Sequence, residues 1–333
     1  MLRWARQRNH VLPIAVALSG LITSLVVFRF SMLSSLFSMM LTSFLVYLEV
    51  MTQWSFRSPR RRKPPINDPN WERIEIQSNG LCIVHYVHQG NSDAPVAWVI
   101  HGWTAGAMRM LHRSSSFIER GWTVIVVDLP SHGGSDRLVK WSAEETTTVL
   151  ISSMNQLKAT HPQWFENSVC YFGHSMGAFV GLRISHRRDE LTIGTRIKGW
   201  IFESPMTGYT EIHHETCNML RIPPLLRPWV LAKTIRHFNA INGPKRMISS
   251  LSDADIPSWG MTKEPTLLVQ AEPDERLGAV HHERLIKCMS GHPYGGLLQV
   301  HLLSDLRHSG SHESASRKSV IDDWLDEQFP HSS

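Results

Sequence analysis

The chain has 333 residues and a mass of 38.0 kDa; 42% of its residues are hydrophobic and 19% are charged, which excludes disorder or a collagen-like repeat for the whole protein. Its four cysteines, Cys82, Cys170, Cys217 and Cys288, are too few and too scattered for a disulfide scaffold or a zinc site built from CxxC pairs. Residues 1–63 hold nine Lys or Arg and one acid, a net charge of +8, whereas the formal net charge of the chain is +5. The remaining residues therefore carry a net charge of −3 and offer no general basis for nucleic-acid binding.

Two uncharged apolar runs open the chain, at residues 11–28 and 30–48, and only Arg29 separates them. Both runs are rich in Leu, Val, Ile, Phe and Met. Each is just long enough for a transmembrane helix, which needs roughly 20 apolar residues to cross the hydrocarbon core. We therefore expect residues 1–54 to form a membrane anchor with one or two transmembrane helices, at about 11–28 and 30–48.

Four arrangements of these runs remain open. In the first, they form a helical hairpin with both basic flanks in the cytoplasm, as the positive-inside rule favours; the flanks hold Arg3, Arg6, Arg8 and residues 57–63. In the second, one run spans the membrane and the other lies at its interface. In the third, the first run is a cleaved signal peptide, which is disfavoured because the small-residue site Ala15-Val16-Ala17 leaves almost no apolar core before it. In the fourth, the runs are a buried hairpin of a soluble protein, which basic flanks around two long uncharged runs do not favour.

Residues 55–70 combine prolines with a basic cluster. Proline removes a backbone donor and restricts the residue before it, so a helix is disfavoured and a linker is predicted. The basic cluster either contacts anionic lipid headgroups or serves only as a topology signal.

From residue 71 onward the sequence alternates between strands and helices. Two strands at 71–77 and 81–88 flank the turn residues Ser78-Asn79-Gly80 and are expected to form an antiparallel hairpin at one edge of a sheet. Further strands are predicted at 95–101, 122–128, 169–173, 197–202, 266–271 and 297–303, and helices at 105–120, 143–160, 176–188, 279–289 and 315–328. This alternation predicts an α/β fold with a mostly parallel central sheet and helices on both of its faces.

Residues 206–263 interrupt the alternation. The stretch is too long for an ordinary connection, and its helical segments at 211–220, 225–238 and 245–251 are separated by prolines. It predicts an inserted helical cap. Its apolar residues either line an acyl pocket or form the cap's own small core; they are Met206, Met219, Leu220, Leu225, Leu226 and Trp229.

The pentapeptide from Gly173 to Gly177 has the form G-x-S-x-G and lies between a predicted strand and a predicted helix. A serine in such a sharp turn has a strained backbone, and the flanking glycines give it steric room. The turn exposes the hydroxyl of Ser175 at the carboxyl edge of the sheet and at a helix N-terminus. Ser175 is therefore the candidate nucleophile.

A second motif, His101-Gly102-Trp103, follows the predicted strand at 95–101. In this arrangement the loop supplies one backbone N–H to a developing oxyanion, here that of Trp103. The second N–H is expected from Met176, which follows the nucleophile. The ring of His101 is expected to brace the loop and not to act as a base.

From about residue 71 to its end, the chain resembles the α/β-hydrolase fold superfamily, and in particular its capped lipase and esterase branch, which includes monoacylglycerol lipases. The resemblance rests on His101-Gly102-Trp103, on residues 128–136 and on the G-x-S-x-G pentapeptide. Residues 128–136 resemble the D-x-x-G-H-G-x-S-D loop of that branch, with Ser131 where glycine is usual. The membrane anchor lies outside the resemblance.

The resemblance implies a chain order of serine, acid and histidine. The acid of the family follows the strand predicted at 266–271, which indicates Asp274, with Glu272 and Glu275 as rivals. The histidine follows the last strand, which indicates His308, with His312 as the rival. His308 would take the proton of Ser175, and Asp274 would fix and stabilise the imidazole.

The sequence thus predicts a membrane-anchored serine hydrolase that cleaves a carboxylic ester, with an apolar acyl chain, through an acyl-serine. Thioester or amide cleavage on the same triad, including peptidase activity, remains an alternative. So does a non-catalytic, membrane-tethered binding scaffold. No metal or organic cofactor is required, the expected partners are a lipid-like ester and membrane lipids, and the free cysteines and the positive-inside balance favour a cytoplasmic catalytic domain.

Overall fold

A computed structural model describes residues 10–59 and 63–330. The predictions made for the basic flanks therefore fall partly outside the described residues, at Arg3, Arg6, Arg8, Arg60, Arg61 and Arg62. The strands are β1 (Glu72–Ser78), β2 (Leu81–His88), β3 (Val96–Ile100), β4 (Thr123–Val127), β5 (Val169–His174), β6 (Ile197–Glu203), β7 (Thr266–Ala271) and β8 (Leu298–Leu303). The helices are α1 (Val11–Phe28), α2 (Met32–Ser55), α3 (Ser115–Ile118), α4 (Ala143–Thr160), α5 (Met176–His186), α6 (Tyr209–Met219), α7 (Arg227–Asn242), α8 (Ala279–Ser290) and α9 (Ala315–Gln328).

The described residues form two compact units. One unit contains the residues up to Ser58, together with Leu138–Ser142 and Tyr209–Ala254. The other contains Pro59–Arg137, Ala143–Gly208 and Asp255–Ser333, and it holds the whole sheet. We call them the helical unit and, after the resemblance noted in the sequence, the hydrolase unit.

The sheet of the hydrolase unit has eight strands in the order β1-β2-β4-β3-β5-β6-β7-β8. β1 and β2 form an antiparallel hairpin, and β2 pairs antiparallel with β4, whereas every later pair is parallel. The hairpin turn has Asn79 and Gly80 at φ 52° and 77°, the left-handed values that a two-residue turn between twisted strands requires. The predicted α/β fold class, with a mostly parallel sheet and an antiparallel edge, is confirmed.

Both faces of the sheet are covered. Successive strand residues point to opposite faces, and on β5 the ring of Tyr171 packs against Gly181 of α5 while Phe172 joins a core with Phe117 of α3 and Trp324 of α9. The strands β3 and β4 are buried along their whole length, which explains why their sequences are uninterrupted apolar runs.

Two predicted helices are wrong. Residues 105–120 form two short 3₁₀ segments and the one-turn helix α3. The carboxylate of Asp128 accepts a hydrogen bond from the backbone N–H of Ala107 at 2.7 Å and holds the chain in a tight loop. Residues 245–251 do not form an α-helix either, and only the short 3₁₀ segments Pro244–Arg246 and Leu251–Ala254 overlap them. There the side chain of Asn239, on α7, exchanges two hydrogen bonds with the backbone of Ile248 at 2.7 and 2.8 Å, and Met247 before it is extended.

In the helical unit, α1 and α2 form an antiparallel hairpin. Ser24 Oγ bonds Ser38 Oγ at 3.0 Å, and a Cβ on Gly20 would lie 2.1 Å from the side chain of Thr42, so small residues allow the two backbones to approach closely. Both helices are long and apolar enough to cross a membrane.

Candidate active site

Ser175 lies at the tip of a strained turn between β5 and α5. Its φ of 53° and ψ of −113° are rarely adopted by a residue with a side chain. A Cβ on Gly173 would lie 2.6 Å from the backbone nitrogen of Ala178, and one on Gly177 would lie 2.4 Å from the carbonyl oxygen of Ile100. Both glycines of the pentapeptide are therefore required by close backbone packing.

Three of the predicted residues meet here in one hydrogen-bonded chain. Nδ1 of His308 lies 2.8 Å from Oδ2 of Asp274, so this nitrogen carries a proton and donates a hydrogen bond to the carboxylate. Nε2 of the same ring lies 3.0 Å from Oγ of Ser175 and can accept the hydroxyl proton. All three side chains are buried, although they come from turns that are far apart in the sequence.

The carboxylate of Asp274 is held ionised by its surroundings. Burial by itself would raise the pKa of Asp274, but the hydrogen bond from His308 and the backbone N–H groups of Leu277 and Arg276 lower it to about 2. Gln270, at the end of β7, donates a further bond to Oδ2 at 3.1 Å. The carboxylate thus stays negative and can stabilise a positive imidazole.

The alternative candidates for the acid and for the histidine contact other residues. Glu272 faces His282, with 3.5 Å between Oε2 and Nε2, and Glu275 accepts a long bond from the backbone of Ser309. His312 lies 3.3 Å from a guanidinium nitrogen of Arg109. Of the residues considered from the sequence, Asp274 and His308 are the two that form the chain with Ser175.

The predicted oxyanion loop lies beside the nucleophile. β3 and β5 are neighbours, with Ile100 paired to Gly173, so the loops that follow them leave the sheet side by side. A Cβ on Gly102 would lie 3.1 Å from Cβ of Ser175. Met176 is the first residue of α5, and the first N–H groups of a helix have no acceptor within it. The loop brings Trp103 to the same edge of the sheet.

His101 braces this loop. Its Nδ1 donates to the carbonyl oxygen of Gly102 at 2.8 Å, and its Nε2 accepts the backbone N–H of Leu129 at 3.0 Å. Burial lowers the pKa of His101 to about 4, so the ring stays neutral at pH 7.

The loop at 128–136 is organised by one carboxylate. Asp128 accepts the backbone N–H groups of Ala107 and Gly134 at 2.7 and 2.8 Å. A Cβ on Gly133 would lie 2.0 Å from that carboxylate, so glycine is required there. Ser131 has a φ of 71°, which explains why glycine is usual at this position in the branch that the sequence resembles.

A buried polar network behind the histidine was missed in the sequence. Nε2 of His174 donates to the carbonyl oxygen of His308 at 3.1 Å. Glu203, at the end of β6, is completely buried and accepts two short bonds from the guanidinium of Arg113, at 2.9 and 2.7 Å. Arg317 adds a second positive charge at 3.6 Å. The position of His174 inside the pentapeptide was the one available signal, whereas nothing in the sequence pairs Glu203 with Arg113.

Nearby charges and burial set the protonation states of Glu203 and His174 in this network. Burial would raise the pKa of Glu203, but the positive charge of Arg113 outweighs it and lowers the pKa to about 2. Burial, reinforced by the same arginine, lowers the pKa of His174 to about 3. Among residues 10–59 and 63–330, no three His, Cys, Asp or Glu side chains come together as a metal site.

Comparison with known proteins places this site in context. The family model described as serine aminopeptidase, S33, matches residues 92–258, half of the chain, including the pentapeptide. A haloalkane dehalogenase of Psychrobacter cryohalolentis is 25% identical over 117 residues, and that match spans 35% of this chain and only 37% of the dehalogenase.

Solved structures share the fold at low sequence identity. An esterase of Pyrococcus furiosus covers 82% of this chain and 99% of its own, with a TM-score of 0.54 and 16% identity. A serine hydrolase without a lid from Xanthomonas campestris covers 81% of this chain and 100% of its own, at 0.52 and 12%. A protein of Butyrivibrio proteoclasticus solved with ferulic acid covers 78% and 100%, at 0.52 and 16%.

Proposed function

Because the chain belongs to the serine aminopeptidase S33 family of α/β hydrolases, we propose that it is a serine hydrolase that cleaves a carboxylic ester, with Ser175 as nucleophile. The observation that carries the proposal is the buried chain of hydrogen bonds from Ser175 through His308 to Asp274. A serine hydroxyl is a weak nucleophile until a base accepts its proton, and this chain supplies the base and its orienting acid.

The reaction follows from these contacts. Nε2 of His308 takes the proton as Oγ of Ser175 attacks the carbonyl carbon, and the negative charge of Asp274 stabilises the imidazolium. The backbone N–H groups of Trp103 and Met176 would stabilise the oxyanion of the tetrahedral intermediate. His308 then protonates the leaving alcohol, which leaves an acyl-serine. Water, deprotonated by the same histidine, attacks this ester and releases the acid.

We also propose that α1 and α2 anchor the protein in a membrane and that the acyl chain of the substrate is apolar. The apolar side chains of both helices are largely exposed, for example Ile22 at 61% and Met40 at 72%. A buried hairpin of a soluble protein would hide these side chains, and a lipid bilayer would cover them. An anchored hydrolase acts close to bilayer lipids, which supports a lipid-like ester.

A fluorophosphonate probe tests the serine. Membranes that contain the full chain should label, whereas Ser175→Ala and His308→Ala should lose labelling by at least about 10³-fold. His312→Ala is the matched control, because this histidine lies four residues away and contacts Arg109. It should label within a few-fold of the wild type. A folded wild-type protein that does not label would favour the non-catalytic scaffold.

A peptidase is the second candidate, because the matching family is described as serine aminopeptidase. The same triad attacks amides as well as esters and thioesters. Comparing kcat/KM on nitrophenyl esters of increasing acyl length, on thioesters and on aminoacyl anilides separates these activities. We expect long-chain esters to be preferred, and a preference for anilides would identify a peptidase.

A further inference from the structure

Helix α7 of the helical unit lies alongside α2 in a parallel orientation. The ring of Trp229 packs edge-on against Phe44, with 5.9 Å between centroids, and Lys233 Nζ lies 2.6 Å from Oε2 of Glu49. Further along, His237 contacts Phe56. The residue numbers of the contacting pairs increase together along both helices. The N-terminal end of α7 therefore lies beside the middle of α2, and the C-terminal end of α7 lies beside the C-terminal end of α2.

The hairpin register sets the height of these contacts. Gly20 lies opposite Thr42, and Ser24 is bonded to Ser38, so the first residue of α1, Val11, is level with Met51. This level is the open end of the hairpin. Phe44 is seven residues before Met51, which at 1.5 Å per residue is about 10 Å below the open end. Trp229, in contact with Phe44, lies at the same depth.

The chain around Trp229 has two different apolar faces. One face packs on α2, where Leu220, Ile222, Leu226 and Val230 form a cluster with Phe44 and Leu48. The other face is exposed, with Met219 at 73% and Leu225 at 77%. Trp229 lies at the edge between the two faces, because its ring contacts Phe44 and is still 50% exposed. Residues 219–229 therefore form an apolar projection, which we call the tip, on the side of a helix suited to cross a bilayer.

The charged residues near α2 and in the tip can be placed on the same depth scale. The pair Glu49–Lys233 lies within two residues of the open end, as expected where the hydrocarbon gives way to headgroups. Arg221 and Arg227 belong to the tip. The guanidinium of Arg227 donates to the carbonyl oxygen of Ile222 at 3.1 Å and to the side chain of Asn218 at 2.8 Å. Arg221 is exposed, and its long side chain can bury an apolar stem while the guanidinium reaches towards lipid phosphates.

We propose that the tip is inserted into the outer part of the leaflet that surrounds the open end of the hairpin, with Met219, Leu225 and Trp229 among the lipid acyl chains. The inference rests on the proposed membrane anchor. The occupant of this surface is bilayer lipid, because the tip continues an anchor that would itself be surrounded by lipid, and a depth of about 10 Å is the depth at which interfacial segments bury their apolar faces. The inserted cap would thus be a second, monotopic hold on the membrane.

Depth-dependent quenching of the full chain in phosphatidylcholine vesicles tests this. In a Cys82→Ser, Cys288→Ser background, which removes the two partly exposed thiols, a fluorophore is attached at Leu225→Cys. Spin-labelled phosphatidylcholine should quench it several-fold more than in a matched variant, Met247→Cys, and aqueous iodide several-fold less. Met247 is also exposed, at 63%, but its neighbour Ile248 is bonded to Asn239, about 15 Å along α7 from Trp229 and therefore about 5 Å beyond the open end, outside the hydrocarbon.

A third label, at Met40→Cys, reports on the anchor itself. If spin-labelled lipid quenches the label at Met40 but the label at Leu225 behaves like that at Met247, the tip is not inserted and the membrane anchor is retained. If iodide quenches the label at Met40 as strongly as that at Met247, the membrane anchor is wrong, and so is the inserted tip. Labelling of Ser175 by fluorophosphonate is read separately, so failure of the hydrolase activity is distinguished from both. Cooperative thermal unfolding of each variant establishes that it is folded.

Discussion

His174 and His308 are joined by a hydrogen bond of 3.1 Å from the ring nitrogen Nε2 of the first to the backbone carbonyl of the second. The residue that precedes the proposed nucleophile therefore holds the main chain of the proposed base. Burial lowers the pKa of His174 to about 3, so the ring is neutral at pH 7, with its one proton on the Nε2 that donates this bond. The distance between Ser175 and His308 is thus supported from behind the site as well as by Asp274.

Removing this bond should slow the chemistry while leaving the protein folded. We expect His174→Ala to lower the rate of fluorophosphonate labelling about 10–100-fold, because small displacements of a reacting group are costly. With an ester substrate, kcat should fall and KM should change little. His174→Gln keeps a donor near the same position and should recover much of the rate. Equal rates for His174→Ala and the wild type would contradict the role.

Glu203→Gln should destabilise the hydrolase unit. The substitution leaves Arg113 and Arg317 buried without their carboxylate, and breaking a buried ion pair typically costs about 3–5 kcal/mol. The free energy of unfolding, or the Tm, measures the loss. The double variant Glu203→Leu, Arg113→Met should be less destabilised than Glu203→Gln, because it removes charges on both sides. An unchanged Tm for Glu203→Gln would show that the network adds nothing to stability.

Gly102→Ala should impair catalysis without a change in the triad. The new Cβ would lie 2.9 Å from Nδ1 of His174 and 3.1 Å from Cβ of Ser175, so the loop must shift away from the nucleophile. If that loop supplies an oxyanion N–H through Trp103, kcat should fall about 10²–10³-fold. Gly296→Ala is the matched control, because no atom lies within 4 Å of its Cβ position. Full activity in Gly102→Ala would argue against an oxyanion donor in this loop.

Stability should fall as the pH is lowered from about 6.5 towards 4. For four histidines burial lowers the pKa far below 6.5, to about 4 for His85 and His101 and to about 3 for His132 and His174. In the unfolded chain they bind protons near pH 6.5, so the unfolded state gains protons first and acid favours it. Each contributes about 1.4 kcal/mol per pH unit in this window.

Thermal unfolding at pH 7, 6 and 5 measures this loss. The Tm should decrease at each step, and the decrease should be smaller in His85→Gln, which removes one of the four groups at a position away from the active site. A Tm that stays constant between pH 7 and pH 5 would contradict the prediction.

The elements of the hydrolase unit were largely predictable because most of its strands are buried. Apolar runs such as that of β4 and the turn at Asn79-Gly80 are determined by local chemistry. The 105–120 segment was not predictable, because the acceptor that holds Ala107, the side chain of Asp128, comes from a different part of the chain. The helix expected at 245–251 failed for a similar reason, at Asn239.

The sequence alone determined the α/β fold class, the strained serine turn and the two apolar N-terminal helices, because each depends on the order and polarity of neighbouring residues. The tertiary structure decided which carboxylate and which imidazole stand in line with Ser175, since the rivals Glu272 and His312 lie within four residues of the preferred Asp274 and His308. It also decided that Glu203 forms an ion pair with Arg113 and that Trp229 lies beside Phe44. Contacts between such distant residues follow from the direction in which folded elements point their side chains, and no local pattern records that direction.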